Sequence, residues 1–179
     1  LRIVQISDSH IGATFHAQGF KKHMQTIQNL HPDLVVVTGD YVDDDTTKKD
    51  MLASTKALGQ VKSTYGTYFV YGNHDKGYMN YRNFSNQDLV TALKENNIHI
   101  LNDESVQIAK HITVVGRQDA QTASNRKSAQ ALMQSIDSKQ YVIMLDHEPT
   151  DYINEANSHP DLVLSGHTHG GQMFPIGIT

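Results

Sequence analysis

Thr67-Tyr68-Phe69-Val70-Tyr71-Gly72-Asn73-His74-Asp75 is the stretch around which this chain is organised. Tyr68, Phe69, Val70 and Tyr71 are aromatic or β-branched in succession, which predicts a buried strand. Gly72 lets the chain turn, and an amide, an imidazole and a carboxylate follow at once on Asn73, His74 and Asp75. Such groups at a strand's end suit a site, because a rigid sheet holds the loop that carries them. One tetrapeptide of this kind is equally well a solvated turn. The pattern, however, recurs on both sides of it.

Towards the N-terminus, Ile3, Val4 and Ile6 predict a strand over residues 2–7, followed by Asp8-Ser9-His10. Leu34, Val35, Val36 and Val37 predict a second strand ended by Gly39-Asp40. Its unbroken apolar run is that of a parallel strand covered on both faces. Towards the C-terminus, residues 98–101 predict a short strand, and 106–109 with 112–115 a hairpin, although Lys110-His111 lacks the usual turn residues. Residues 141–145 predict a strand ending at Asp146-His147, and 161–165 another ending at Gly166-His167-Thr168-His169. Helices are predicted between them. Phe20, Met24, Ile27 and Leu30 recur at helical spacing until Pro32 disfavours helix at His31. A second helix spans about 50–61, and Ser85 with Asp88 three residues on reads as the cap of a third. Ala129, Leu132, Met133 and Ile136 mark a fourth, and a short one surrounds Tyr152. Strand and helix alternate throughout, which predicts a layered α/β domain.

Composition narrows the function. At 179 residues the chain is long enough for one domain with a substantial core. Its 15 Lys and Arg against 19 Asp and Glu leave a net charge of −4, which argues against a nucleic-acid surface. With no cysteine, disulfides and thiolate metal sites are excluded. No apolar run approaches the ~20 residues that span a bilayer. The chain opens on Leu1 rather than Met and enters its first strand at once, so we expect a preceding segment, such as a signal or membrane anchor, to have been removed.

Asp8 and His10, Asp40, Asn73 and His74, His147, and His167 and His169 all stand at predicted strand ends. In a layered α/β domain the C-terminal ends of parallel strands gather on one edge, so these groups should meet. Imidazoles and carboxylates without thiolate suit Mn, Fe, Zn or similar ions. Two such ions roughly 3.5–4 Å apart form a clamp for in-line attack at phosphorus. That geometry needs a carboxylate to bridge the ions and a water-derived hydroxide between them. Taken singly each motif is weak; the conjunction is specific. The remaining histidines, His16, His23, His31, His99, His111 and His159, read as ordinary surface or core residues.

In these blocks the chain resembles the calcineurin-like metallophosphoesterases. Gly170-Gly171-Gln172, after the last block, resembles a bacterial branch that includes membrane-associated phosphodiesterases. The resemblance implies two facing mixed β-sheets flanked by helices, and a single domain over 1–179 truncated at both ends, with further strands of the second sheet expected after His169. It implies two divalent metal ions: Asp8, His10 and His169 would hold the first and Asn73, His147 and His167 the second, with Asp40 bridging. His74 would stabilise phosphoryl charge or protonate the leaving oxygen, with Asp75 orienting it. The implied function is hydrolysis of phosphodiester or pyrophosphate bonds in small or lipid-linked substrates, with membrane association through the missing N-terminal segment as one location and the cytoplasm of a bacterium as another. The alternatives are a phosphomonoesterase, a nuclease, which the charge disfavours, and a non-catalytic scaffold, which should have lost ligands that this chain keeps. The chain departs from the phosphoprotein phosphatase branch. That branch has Arg-Gly where Asp44-Asp45 stand here, and Glu in place of Asp75.

Other residues admit two readings. Asp43, Asp44 and Asp45 form an acidic run that is solvated by default. Asp119 reads as a site-edge group or a solvated loop, and Asp146 and Glu148 as supporting groups or helix caps rather than ligands. Tyr78, Tyr81, Arg82 and Phe84, like Phe15 and His16, either cover substrate or pack their own loops, the second reading being slightly favoured for the group after His74.

Overall fold

The computed structural model describes residues 1–78 and 82–169. Among them are eight strands: β1 (Ile3–Ile6), β2 (Leu34–Thr38), β3 (Thr67–Val70), β4 (Ile98–Ile100), β5 (Glu104–Ala109), β6 (Ile112–Gly116), β7 (Tyr141–Leu145) and β8 (Leu162–Leu164). Five α-helices join them: α1 (Ala17–Asn29), α2 (Lys48–Gly59), α3 (Asn86–Glu95), α4 (Ala129–Met133) and α5 (Tyr152–Asn157). The strands form two four-stranded sheets, ordered β1-β2-β3-β4 and β5-β6-β7-β8. The first sheet is parallel throughout; the second is mixed, with β5 antiparallel to β6 and the rest parallel. No helix among the described residues is long and apolar enough to cross a membrane.

Alternation along the strands builds the layers, because successive side chains point to opposite faces. In β2, Val35 and Val37 enter a core with Phe20 and Met24 of α1, Met51 and Leu58 of α2 and Leu89 and Leu93 of α3. Leu34 and Val36 point the other way, into a second core with Val114, Ile143 and Leu145 of the facing sheet. On the far side of that sheet, Val142 and Met144 pack against Ala129 and Leu132 of α4. The order of layers is therefore helix, sheet, sheet, helix. Full burial of every β2 residue accounts for its unbroken apolar run.

Local signals set the boundaries. Thr47 caps α2 by accepting from the Asp50 N–H, and Ser85 and Asp88 form a reciprocal capping box on α3. The hairpin lacking turn residues is closed differently. The register shifts between Gln107 and Ala109, and the Gln107 amide donates to the carbonyls of Ala109 and Lys110 at 3.0 Å each.

Parallel pairing in register brings the strand ends together. Ile6 lies opposite Val37, Val37 opposite Phe69, and in the other sheet Leu145 opposite Leu164. The two sheets are tied at this edge by Gln5, whose amide donates to Thr38 Oγ1 and to the Ser165 carbonyl at 2.8 Å each.

Candidate metal centre

Asp8 and His10 follow β1, Asp40 follows β2, Asn73 follows β3, His147 follows β7, and His167 and His169 follow β8. These side chains converge in two groups. Asp8, His10, Asp40 and His169 offer donor atoms within 4.8 Å of one another, as do Asp40, His147 and His167. Asn73 joins the second group, its Oδ1 3.1 Å from both His147 Nε2 and His167 Nδ1. Asp40 belongs to both: its Oδ2 lies 3.6 Å from His10 Nε2 and 3.2 Å from His147 Nε2.

The surrounding hydrogen bonds fix which atoms face inward. His147 Nδ1 meets the Thr38 carbonyl at 2.8 Å, so Nδ1 carries a proton and Nε2 is the nitrogen turned to the neighbouring groups. His10 Nδ1 meets Asp43 Oδ2 at 2.7 Å, with the same result. Asp40 Oδ1 accepts from the His74 N–H at 2.9 Å, which turns Oδ2 towards the two imidazoles. Asp8 accepts from the His167 N–H at 2.9 Å and from the Ser7 hydroxyl at 2.6 Å. The Asn73 amide nitrogen donates to the Tyr78 hydroxyl, which turns Oδ1 inward. The inner face of each group therefore crowds carboxylate oxygens and ring nitrogens together, with His10 Nε2 and His169 Nε2 at 3.3 Å and His147 Nε2 and His167 Nδ1 at 3.3 Å. Carboxylate oxygens and ring nitrogens so placed suit a positive centre among them. Imidazoles held by a carbonyl or carboxylate behind them suit a divalent metal. Neighbouring charges point the same way. Burial pulls the His147 imidazole down, but Asp40 beside it overrides this and raises it to about 9. Burial pushes Asp40 up, yet its bond with His147 leaves the carboxyl below the usual range.

The backbone here is strained. Asp8, His10, Asp40, His167 and His169 have φ of 51°, 38°, 50°, 68° and 51°, a left-handed region that residues with a Cβ rarely adopt. Such outliers persist at sites whose surroundings over-determine them. Crowding explains the neighbouring glycine: a Cβ on Gly39, at φ +87°, would come within 2.5 Å of His147 Nδ1.

His74 stands beside the first group, its side chain 33% exposed, edge-on to the His10 ring at a centroid distance of 4.9 Å. Asp75, expected to orient it, does not do so. The Asp75 carboxylate is fully buried and accepts from the backbone N–H groups of Tyr41, Val42 and Gly72 at 2.8–3.0 Å. It pins the post-β2 turn to the post-β3 turn; burial pushes the carboxyl up to about 7 against those amide bonds. The carboxylate that meets the His74 ring is Asp43, with Oδ1 3.3 Å from Nδ1. Asp43 thus holds His10 with one oxygen and His74 with the other. Reading it as part of a solvated acidic run misses this. The available signal was its place three residues after Asp40, in the same turn.

Asp119 is not solvated: it is buried and accepts from the Thr122 N–H at 2.7 Å. Glu148 is buried and accepts from the Ala120 N–H at 3.0 Å; burial and the adjoining Asp119 push it up to about 7. Asp146 pairs with Arg117 at 2.9 Å and with Arg126, and Arg117 also reaches Asp151 at 2.8 Å and Glu155 at 2.9 Å. This buried charge network lies directly behind His147 in sequence. Arg82 lies over the Phe84 ring at 4.3 Å and donates to the Asp75 carbonyl, so both pack their loop. Phe15 packs on the helical core and His16 pairs with Asp50 at 3.3 Å. Tyr78 alone of the described aromatics after His74 faces the site. Tyr81 and Gly170-Gly171-Gln172 fall outside the described residues.

Comparison with known proteins agrees with this geometry. The family profile of the calcineurin-like phosphoesterases matches residues 1–171. An uncharacterized metallophosphoesterase of Campylobacter jejuni is 33% identical over 179 residues, covering 98% of this chain and 46% of its own. One from Aquifex aeolicus is 32% identical over 183 residues, covering 100% of this chain and 67% of its own. A transmembrane protein with a metallophosphoesterase domain from Danio rerio is 28% identical over 191 residues, covering 99% and 42%. This chain thus spans only about half the length of several relatives it matches. A crystal structure at 10% identity superimposes with a TM-score of 0.60 over 92% of this chain and 83% of its own, a likeness of fold alone.

Proposed function

Because this chain belongs to the calcineurin-like phosphoesterase family, we propose that it hydrolyses phosphoester bonds at a pair of divalent metal ions. We propose further that its substrates are phosphodiesters or pyrophosphates of small or lipid-linked molecules. The observation that carries the reading is Asp40: one buried oxygen, Oδ2, stands 3.6 Å from His10 Nε2 and 3.2 Å from His147 Nε2, shared by both donor groups. Asp8, His10 and His169 would complete one site, and Asn73, His147 and His167 the other. Bound divalent ions supply charge against the phosphoryl oxygens and make water acidic enough to attack at neutral pH.

The chain's own groups supply the rest. Asp43 holds His74 Nδ1, so Nε2 is the nitrogen available to substrate. An imidazolium there can pass its proton to the departing oxygen. The diester preference rests on Asp44. A guanidinium at that position would bind two phosphoryl oxygens of a monoester dianion, and the Asp44 carboxylate offers them no donor. Asp44 is turned onto the Tyr78 N–H at 3.0 Å, a contact that holds the loop. A diester carries one charge fewer and loses less without the guanidinium.

Metal analysis with a panel of generic phosphoesters tests the reading. Two equivalents of divalent ion and metal-dependent hydrolysis are expected; a single equivalent, or hydrolysis indifferent to chelator, would overturn it.

A further inference from the structure

Tyr78 is held at the mouth of the site by three polar tethers. Its N–H donates to Asp44, its hydroxyl accepts from the Asn73 amide nitrogen at 2.5 Å, and the same hydroxyl donates to Gln121 Oε1 at 3.3 Å. Its ring stands edge-on to His74, with centroids 5.0 Å apart. Yet the residue is 52% exposed. A tyrosine whose hydroxyl points inward while half its surface meets water is not buried by the core. Gln121 lies in the loop after β6, so the hydroxyl spans from the first sheet's turn to the second sheet's loop across the centre.

Two consequences follow from this placement. First, the hydroxyl can accept from Asn73 only if the amide nitrogen faces it, and that choice is what aims Oδ1 at His147 and His167. Second, the exposed ring adjoins the imidazole that would meet the departing oxygen. It offers an apolar wall where the organic part of the leaving group must sit.

We propose that Tyr78 is a positioning and specificity-determining residue. Its hydroxyl orients Asn73 as a metal ligand, and its ring selects phosphoesters whose departing alcohol carries a planar aromatic group. The second clause rests on the hydrolase reading above; the first rests only on metal binding.

Tyr78→Phe and Tyr78→Ala separate the two roles. Calorimetric titration of the apoprotein with Mn²⁺ reads the hydroxyl. Removing a group that orients a ligand typically weakens metal about 10- to 100-fold. Both variants should show this loss for one of two equivalents and leave the other as in the unaltered protein. Turnover of diphenyl phosphate against bis(trifluoroethyl) phosphate reads the ring. Inherent reactivity cancels when the ratio of the two kcat/KM values is compared between variants. Tyr78→Phe should keep the ratio, and Tyr78→Ala should shift it against the phenyl ester by roughly 2- to 10-fold, the scale of an aromatic contact. Two unaltered equivalents in Tyr78→Phe would overturn the orienting role. An unmoved ratio in Tyr78→Ala would overturn the selecting role. If the unaltered protein binds metal but hydrolyses neither ester, the hydrolase reading and the selecting role fall together, while the titration still decides the orienting role.

Discussion

Asp43→Asn should separate the two imidazoles that share one carboxylate. Asp43 gives Oδ2 to His10 Nδ1 at 2.7 Å and Oδ1 to His74 Nδ1 at 3.3 Å. Asparagine keeps one oxygen where two are used, and its amide presents hydrogens to the other ring. Placed against His74, those hydrogens face Nδ1 where the carboxylate oxygen accepted. A hydrogen bond to a charged group contributes about 1.5–3 kcal/mol, so losing it should cost turnover roughly 10- to 150-fold. Removing a positioned acid outright, as in His74→Asn, should cost about 10²–10⁴-fold. If Asp43 serves turnover through His74, adding Asp43→Asn to His74→Asn should lower kcat hardly further, because groups acting as a unit are not additive. The His10 contact should show separately, as a weakening of roughly 10- to 100-fold at one metal equivalent in both backgrounds. Stopped-flow turnover and Mn²⁺ calorimetry on the two single variants and the double variant complete the cycle. Costs in kcat that multiply would refute the reasoning, since Asp43 would then act independently of His74.

Three further outcomes are expected. Asp40→Asn should weaken both metal equivalents together, because one shared oxygen serves both groups; loss confined to one equivalent in a metal titration would count against bridging. The Mn-loaded protein should favour an aryl phosphodiester over the monoester of the same phenol, in proportion to their uncatalysed rates, and turn over phosphoserine peptides poorly; a clear monoester preference would count against the role given to Asp44. Arg117→Met leaves Asp146 and Glu155 buried without this partner and should cost about 3–5 kcal/mol in urea unfolding, whereas a loss under about 1 kcal/mol would mean that Arg126 compensates.

Much of this was open to sequence reading, for physical reasons that differ by element. β2 is apolar at each residue from Leu34 to Val37 because it is buried on both faces, and the shortness of the run and its three valines mark it as a strand. Ser85 and Asp88 are readable because a capping box acts within one turn. The candidate ligands are readable because each must follow a strand at the same edge. What was hidden depends on contacts between distant segments. Asp43 and Asp75 are both acids in post-strand turns, and nothing local says which will turn to His74 and which to the backbone amides of Tyr41, Val42 and Gly72. No local pattern shows the partners of Arg117, Asp146 and Glu148, because they lie far off in the chain: Arg117 is 29 positions from Asp146 and 38 from Glu155, and Glu148 is 28 from Ala120. The parallel character of the whole first sheet likewise follows from crossovers through α1, α2 and α3, not from composition.

The contact between Asp8 and the His167 amide joins positions 159 apart in the chain. That span has a meaning in time. At a synthesis rate of about 5–20 residues per second, Asp8 leaves the ribosome roughly 10–30 s before its partner does. During that interval β1, β2 and β3 can pair and pack on their helices, and Asp8, His10, Asp40 and Asn73 can gather at the edge. His147, His167 and His169 are still to come. The candidate donor set can therefore be complete only once the chain has been made as far as His169.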